Sequence, residues 1–126
     1  MATISVVINT LNAQRLLDDV LESVKEADEI IVCDMHSEDE TIEIAKRHKC
    51  KIFYHERTGI VELARNWAME QATCDWILVL DADEIVTPEL WQYLKNYAQH
   101  PKKNRNACYI PRETYLLGKH VHSWRQ

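Results

Sequence analysis

Glycine and proline are scarce, with two and three copies in 126 residues. With so few chain breakers, no low-complexity stretch and no repeat at a solenoid period, disordered and array architectures are excluded. Cys-x-x-Cys pairs are missing as well. Cys33, Cys50, Cys74 and Cys108 fall far apart, which fits reduced thiols in the cytoplasm better than a disulfide framework. The N-terminus carries no signal-peptide pattern. The longest strongly apolar run, Ile77 to Leu80, is far too short to cross a bilayer, so attachment to the inner face of a membrane would need a segment outside this chain. Basic runs are missing too. The formal charge of −5 is spread along the sequence, leaving no electrostatic footprint for nucleic acid or anionic lipid. A small-molecule partner is expected.

What is present is 46% apolar residues, enough for one packed core. Ile4 to Ile8 is β-branched and almost continuously apolar, as in a strand buried on both faces. Leu16, Leu17, Val20, Leu21 and Val24 then recur at helical spacing, with Asn12 as the expected N-cap. Ile30 to Cys33 is a second strand ending at Asp34. Ser37 followed by Glu40 has the capping-box pattern and is expected to open a helix running to about His48. Lys51 to His55 reads as a third strand. Val61, Ala64, Trp67 and Ala68 mark a helix starting near Gly59, and Trp76 to Leu80 is a fourth strand ending at Asp81. Thr87-Pro88-Glu89 places a cap, a proline at the first helical position and an acid in the first turn, opening a helix that carries Leu90, Trp91 and Leu94 inward.

Four alternations of strand and helix predict an α/β fold with a mostly parallel sheet and helices on both faces. Beyond His100 the pattern changes. A polar loop, 101–106, precedes a short fifth strand from Ala107, and the stretch from Glu113 is expected to be strand material around a turn at Gly118.

In an open parallel sheet, ligands bind outside the carboxyl ends of the strands. Those ends here carry Thr10-Leu11-Asn12, Asp34, and Asp81-Ala82-Asp83-Glu84. Three acids close together repel one another and call for a cation. An Asp-x-Asp turn can present carboxylate to Mg2+ or Mn2+, leaving coordination positions for water and phosphate oxygens. The alternative is an acidic loop that merely caps the next helix.

The segments Ser5-Val6-Val7-Ile8-Asn9-Thr10-Leu11-Asn12, Asp34 to Thr41, Arg65-Asn66 and Asp75 to Glu84 occur in the order seen in family-2 glycosyltransferases, which the chain resembles over about two-thirds of its length. The Asp-Ala-Asp-Glu ending and the stretch 112–124 are most similar to the subgroup acting on bacterial surface glycans such as lipopolysaccharide core. The resemblance implies a Rossmann-like GT-A fold, with residues 1–100 as the nucleotide-sugar-binding part and 101–126 as the start of an incomplete acceptor-side part. It implies inverting transfer of a sugar from a nucleoside diphosphate donor to a hydroxyl of a glycan or lipid-linked acceptor. By the same resemblance, Thr10, Asn12, Asp34, Arg65 and Asp81 line the nucleotide site, and Asp83, with Asp81, holds the metal. Met35 and His36 depart from the family's second acid and glycine, which leaves the donor base open. The family's catalytic base lies beyond Gln126 in register, and Glu84 fits a structural position better than a base.

Other residues invite simpler readings. His120 and His122 would share a strand face and lack a third zinc ligand. Cys33, Trp67, Trp76 and Trp91 are expected in the core, whereas Trp124 suits a sugar-stacking surface. Among other functions, a nucleotidyltransferase would show a Gly-rich basic loop after its first strand. An Asp-x-Asp phosphatase would carry that motif after its first strand, and a receiver-like binding module would draw acids from its first and third.

Overall fold

The structure, a computed structural model, describes residues 2–57, 61–100, 107–109 and 116–119, with side chains described for 2–57 and 63–100. Elements alternate as expected: β1 (Ile4–Thr10), α1 (Gln14–Ser23), β2 (Glu29–Asp34), α2 (Thr41–Arg47), β3 (Lys51–Tyr54), α3 (Val61–Glu70), β4 (Trp76–Asp81) and α4 (Pro88–Gln99), followed by β5 (Ala107–Tyr109) and β6 (Leu116–Lys119). They form one six-stranded sheet in the order β3-β2-β1-β4-β6-β5. The first four strands are mutually parallel, whereas β6 runs antiparallel to β4 and β5 antiparallel to β6.

Strand alternation sorts the core into two layers. Val6, Ile8, Val32, Leu78 and Leu80 face one side, where they meet Leu17, Val20 and Leu21 of α1, Ile44 and Ala45 of α2, and Trp91 and Leu94 of α4. Val7, Ile31, Cys33, Ile77 and Val79 face the other side and pack against Ala68 of α3. Helices therefore cover both faces, and each fully buried aliphatic side chain contributes roughly 1.5–3 kcal/mol. Cys33 sits in this core, where burial pushes its thiol up to about 11. Trp76 and Trp91 are buried, while Trp67 is half-buried and meets Phe53 edge-on. Leu90 packs only partly buried against the core.

At the amino ends of the strands, Glu29 is buried and accepts from Ser5 Oγ at 2.6 Å, from the Thr73 N–H at 2.9 Å and from Thr73 Oγ1 at 3.0 Å, with Lys51 Nζ as its ion-pair partner. This latch ties β1, β2 and β3 to the turn that leads into β4. Burial alone would raise the Glu29 pKa, but Lys51, Ser5 and Thr73 outweigh it and hold the carboxyl at about 2.

Three local expectations are corrected. Asn12 is not the N-cap of α1, because it lies at φ 51° and Ala13 holds the cap position without a side-chain bond. Ser37 does not open α2, which starts at Thr41 behind Glu40, since the Ser37 hydroxyl is drawn instead to Asp34. Gly118 is not in a turn: it lies within β6 and pairs with Ile77 and Ala107. The Thr87 cap is as expected, accepting the Leu90 N–H at 3.1 Å with Pro88 in the first turn. His120, His122 and Trp124, like the expected helix start at Gly59, lie outside the described residues.

Candidate functional site

The strand order reverses at β1, since β2 and β3 extend the sheet to one side and β4 lies on the other. In an open parallel sheet the crevice for a ligand lies outside the carboxyl ends of the strands at such a reversal. A cleft of about 440 Å³ occupies that position, lined by Asn9, Leu11, Asn12, Ala13, Arg15, Leu16, Asp81, Ala82 and Asp83. Asn12, Asp81 and Asp83 of the expected site residues are thus brought to one cavity.

Register explains how the others are placed. Thr10 is opposite Asp34 across the β1–β2 pair, and Asn9 is opposite Asp81 across the β1–β4 pair. All four lie on one rim, but successive side chains alternate faces. Asp34 therefore turns toward the α1 and α2 layer, and Asp81 toward α3. Asp34 is fully buried, and its carboxylate accepts from Thr10 Oγ1 at 2.6 Å, Ser37 Oγ at 2.6 Å and the Ser37 N–H at 2.7 Å. Thr10 is buried with it. These two side chains hold each other and the wall behind the cleft.

Ser37 is a residue whose role the motif reading missed. Its hydroxyl also accepts from the Asn12 N–H at 2.7 Å, while Asn12 Oδ1 accepts from the Glu38 N–H at 2.8 Å. The left-handed backbone at Asn12 is tolerated because a short amide side chain can bond locally in this way. Next along the chain, the Ala13 and Gln14 N–H groups donate to Thr41 Oγ1 and Asp39 Oδ2. The N-terminus of α1 is capped from the neighbouring loop, so those two N–H groups are already satisfied and are not free to cradle phosphate. Asp39 is held below the usual carboxylate range: burial opposes this, but the Thr41 hydroxyl and the Thr41 and Gln14 N–H groups prevail. The spacing of Asp39 and Thr41 was visible in the sequence, but their partner 25 or more residues away was not.

On the other face, Arg65 of α3 donates to Asp81 Oδ1 at 2.7 Å. The cation called for by the acidic cluster is supplied to Asp81 by the protein itself. Asp83 remains exposed at the tip of the turn. Glu84 closes that turn: its N–H donates to the Asp81 carbonyl at 3.1 Å, and its Oε1 accepts the Asp81 N–H at 2.9 Å. Burial, together with the Asp81 and Asp83 charges, raises its carboxyl above the ordinary value. Among the described residues no three Asp, Glu, His or Cys side chains converge on one point.

His36, where the resemblance leads one to expect glycine, has φ 61°, a left-handed conformation that glycine adopts without steric cost. Its ring stacks on Tyr54 at 5.7 Å, and Arg57 donates to the Met35 and His36 carbonyls, which holds the strained loop in place.

A mostly parallel α/β sheet with helices on both faces and its cleft at the strand-order reversal defines a Rossmann-like protein. The family model described as glycosyl transferase family 2 matches residues 5–121, and the chain belongs to that family. It is 39% identical over 103 residues to a TPR repeat-containing protein of Synechococcus elongatus, covering 81% of this chain and 26% of that protein. An uncharacterized glycosyltransferase of Rickettsia typhi is 32% identical over 110 residues, covering 86% and 37%. The chain thus spans well under half the length of these relatives. Its fold superimposes with a TM-score of 0.70 on Mycobacterium tuberculosis glucosyl-3-phosphoglycerate synthase solved with Mn2+, UDP and glucosyl-3-phosphoglycerate, at 22% identity over 87% of this chain and 45% of that one. No described helix is long and apolar enough to cross a membrane.

Proposed function

We propose that this chain binds a nucleoside diphosphate sugar in the cleft between β1 and β4 and takes part in inverting transfer of the sugar to a hydroxyl of a glycan or lipid-linked acceptor. The observation that carries the reading is the opening of that cleft at the switch point with Asp81, Asp83 and Asn12 in its walls. Residues 1–100 would form the donor-binding part and 101–126 the beginning of the acceptor side. The cellular setting consistent with this chemistry is bacterial surface-glycan synthesis on the cytoplasmic side.

The donor set fits a divalent ion held jointly with substrate. Mg2+ is commonly bound through one or two carboxylates, with water and phosphate oxygens completing the shell. Exposed Asp83, with Asp81 beside it, would supply those carboxylates. When bound, Mg2+ or Mn2+ would act as a Lewis acid on the departing diphosphate. The neighbour's structure with Mn2+ and UDP supports this reading by analogy of fold.

The chain's own groups divide the remaining work. Arg65 neutralises Asp81 and stands ready to face diphosphate from the α3 side. Asn12 offers the cleft a backbone turn held by Ser37 and Glu38, while Thr10 and Asp34 keep the wall in register and fix where the nucleoside can lie. Glu84 holds the turn that presents Asp83.

Calorimetry with UDP and GDP, with and without Mn2+, tests the proposal. Binding that requires the metal, and an Asp83→Ala variant that loses the metal dependence with a drop in affinity of at least tenfold, is the expected result. Absent or metal-independent binding of both nucleotides refutes it.

A further inference from the structure

The two aspartates of the 81–83 turn differ in how they meet a cation. Exposed Asp83 has no ion-pair partner among the described residues. Asp81 Oδ1 already accepts from Arg65 Nη2 at 2.7 Å, and these two side chains are 33% and 40% exposed. Beneath the pair, Glu84 Oε1 accepts the Asp81 N–H at 2.9 Å and fixes the backbone of the turn. A divalent ion drawing on both aspartates competes with Arg65 for one carboxylate, and the guanidinium charge repels any such ion. Arg65 can release Asp81 only toward another anion. Its planar fork of donors matches phosphate oxygens as well as carboxylate, so a diphosphate on the same rim offers that exchange.

We propose that the Arg65–Asp81 ion pair is a charge lock that fits the turn to a divalent cation arriving with a diphosphate rather than to the cation alone. Asp81 becomes available to the cation only when a diphosphate draws Arg65 away. Arg65 is thus a positioning residue that acts on metal affinity through Asp81. The inference rests on the nucleotide-binding reading above. By linkage, the factor by which diphosphate tightens the metal is also the factor by which metal tightens the diphosphate.

The test reads Mn2+ binding without nucleotide, from the EPR signal of the free ion, for the wild-type chain, Arg65→Met, Asp81→Asn and the double variant. The Asp83→Ala chain gives the background from surface carboxylates. Methionine keeps the aliphatic stem of arginine, so Arg65→Met is expected to unfold within a few degrees of wild type, and Arg65→Gln serves as a second variant. Either replacement should tighten Mn2+ about fivefold, the change that about 1 kcal/mol from a partly exposed ion pair produces. In the Asp81→Asn background the gain should shrink to less than twofold, because no carboxylate is left to unlock. Calorimetry of UDP with and without Mn2+ should show the metal's enhancement of UDP affinity reduced about fivefold in Arg65→Met. Mn2+ affinities within twofold of wild type overturn the inference, and so do equal gains with Asp81 and with Asn at 81, which would make Arg65 only a nearby charge. Loss of folding in both Arg65 variants overturns it as well, by making the pair structural. A wild-type chain that binds no UDP with Mn2+ refutes the nucleotide-binding reading itself, whatever Mn2+ alone does.

Discussion

The latch around Glu29 sets a measurable pH dependence of stability. Its side chain is 4% exposed, and its carboxyl lies at about 2 rather than 4.5. At about 1.4 kcal/mol per unit, that depression corresponds to about 3 kcal/mol. Because the folded-state value is the lower one, the stabilisation is complete above about 4.5 and is lost as the pH falls toward 2. Replacing the residue by glutamine keeps the shape but turns one acceptor oxygen into a donor, while Ser5, Thr73 and Lys51 all still present donors. Urea unfolding at pH 7 is expected to show Glu29→Gln less stable than wild type by about 3 kcal/mol, with the gap closing steadily below pH 4.5. Lys51 is 59% exposed but its partner is the buried Glu29 carboxylate, so Lys51→Met should cost about 1–3 kcal/mol at pH 7 by leaving that charge without its cation. A Glu29→Gln effect below about 1 kcal/mol at pH 7, or one that stays constant from pH 7 to 2.5, would refute the assignment of this stability to the buried carboxylate.

Two further substitutions probe the loops and caps. Ser37→Ala removes one of the donors to buried Asp34 and the acceptor for the Asn12 N–H; denaturant unfolding should register a loss of about 2 kcal/mol, and calorimetry a weaker UDP affinity. Thr87→Ala should lower stability by about 1 kcal/mol through loss of the α4 cap, with UDP affinity unchanged.

The elements were legible because each periodic stripe has one physical cause, burial on a sheet face or a helix stripe. The continuous apolar runs of β1 and β4 marked central parallel strands, and the cleft followed from where those strands end. The caps were less legible. Asn12 and Ser37 have the chemistry of helix starts, but their side chains bond across 25 or 26 residues to each other's loops. No local pattern encodes that partnership. Pairing of Arg65 with Asp81 was equally hidden, since it depends on α3 crossing to the face that Asp81 shares through strand alternation. The same alternation separates Asp34 from Asp81, two acids that a linear reading groups on one wall.

The exchange of caps between the β1–α1 and β2–α2 turns makes them one mechanical unit. Each loop's backbone donors are terminated by the other's side chains, so neither can shift alone without exposing unbonded amides. Paired replacements at Asn12 and Ser37, or at Gln14 and Asp39, should therefore depart from the sum of the single effects. Reshaping this rim would require altering both halves together.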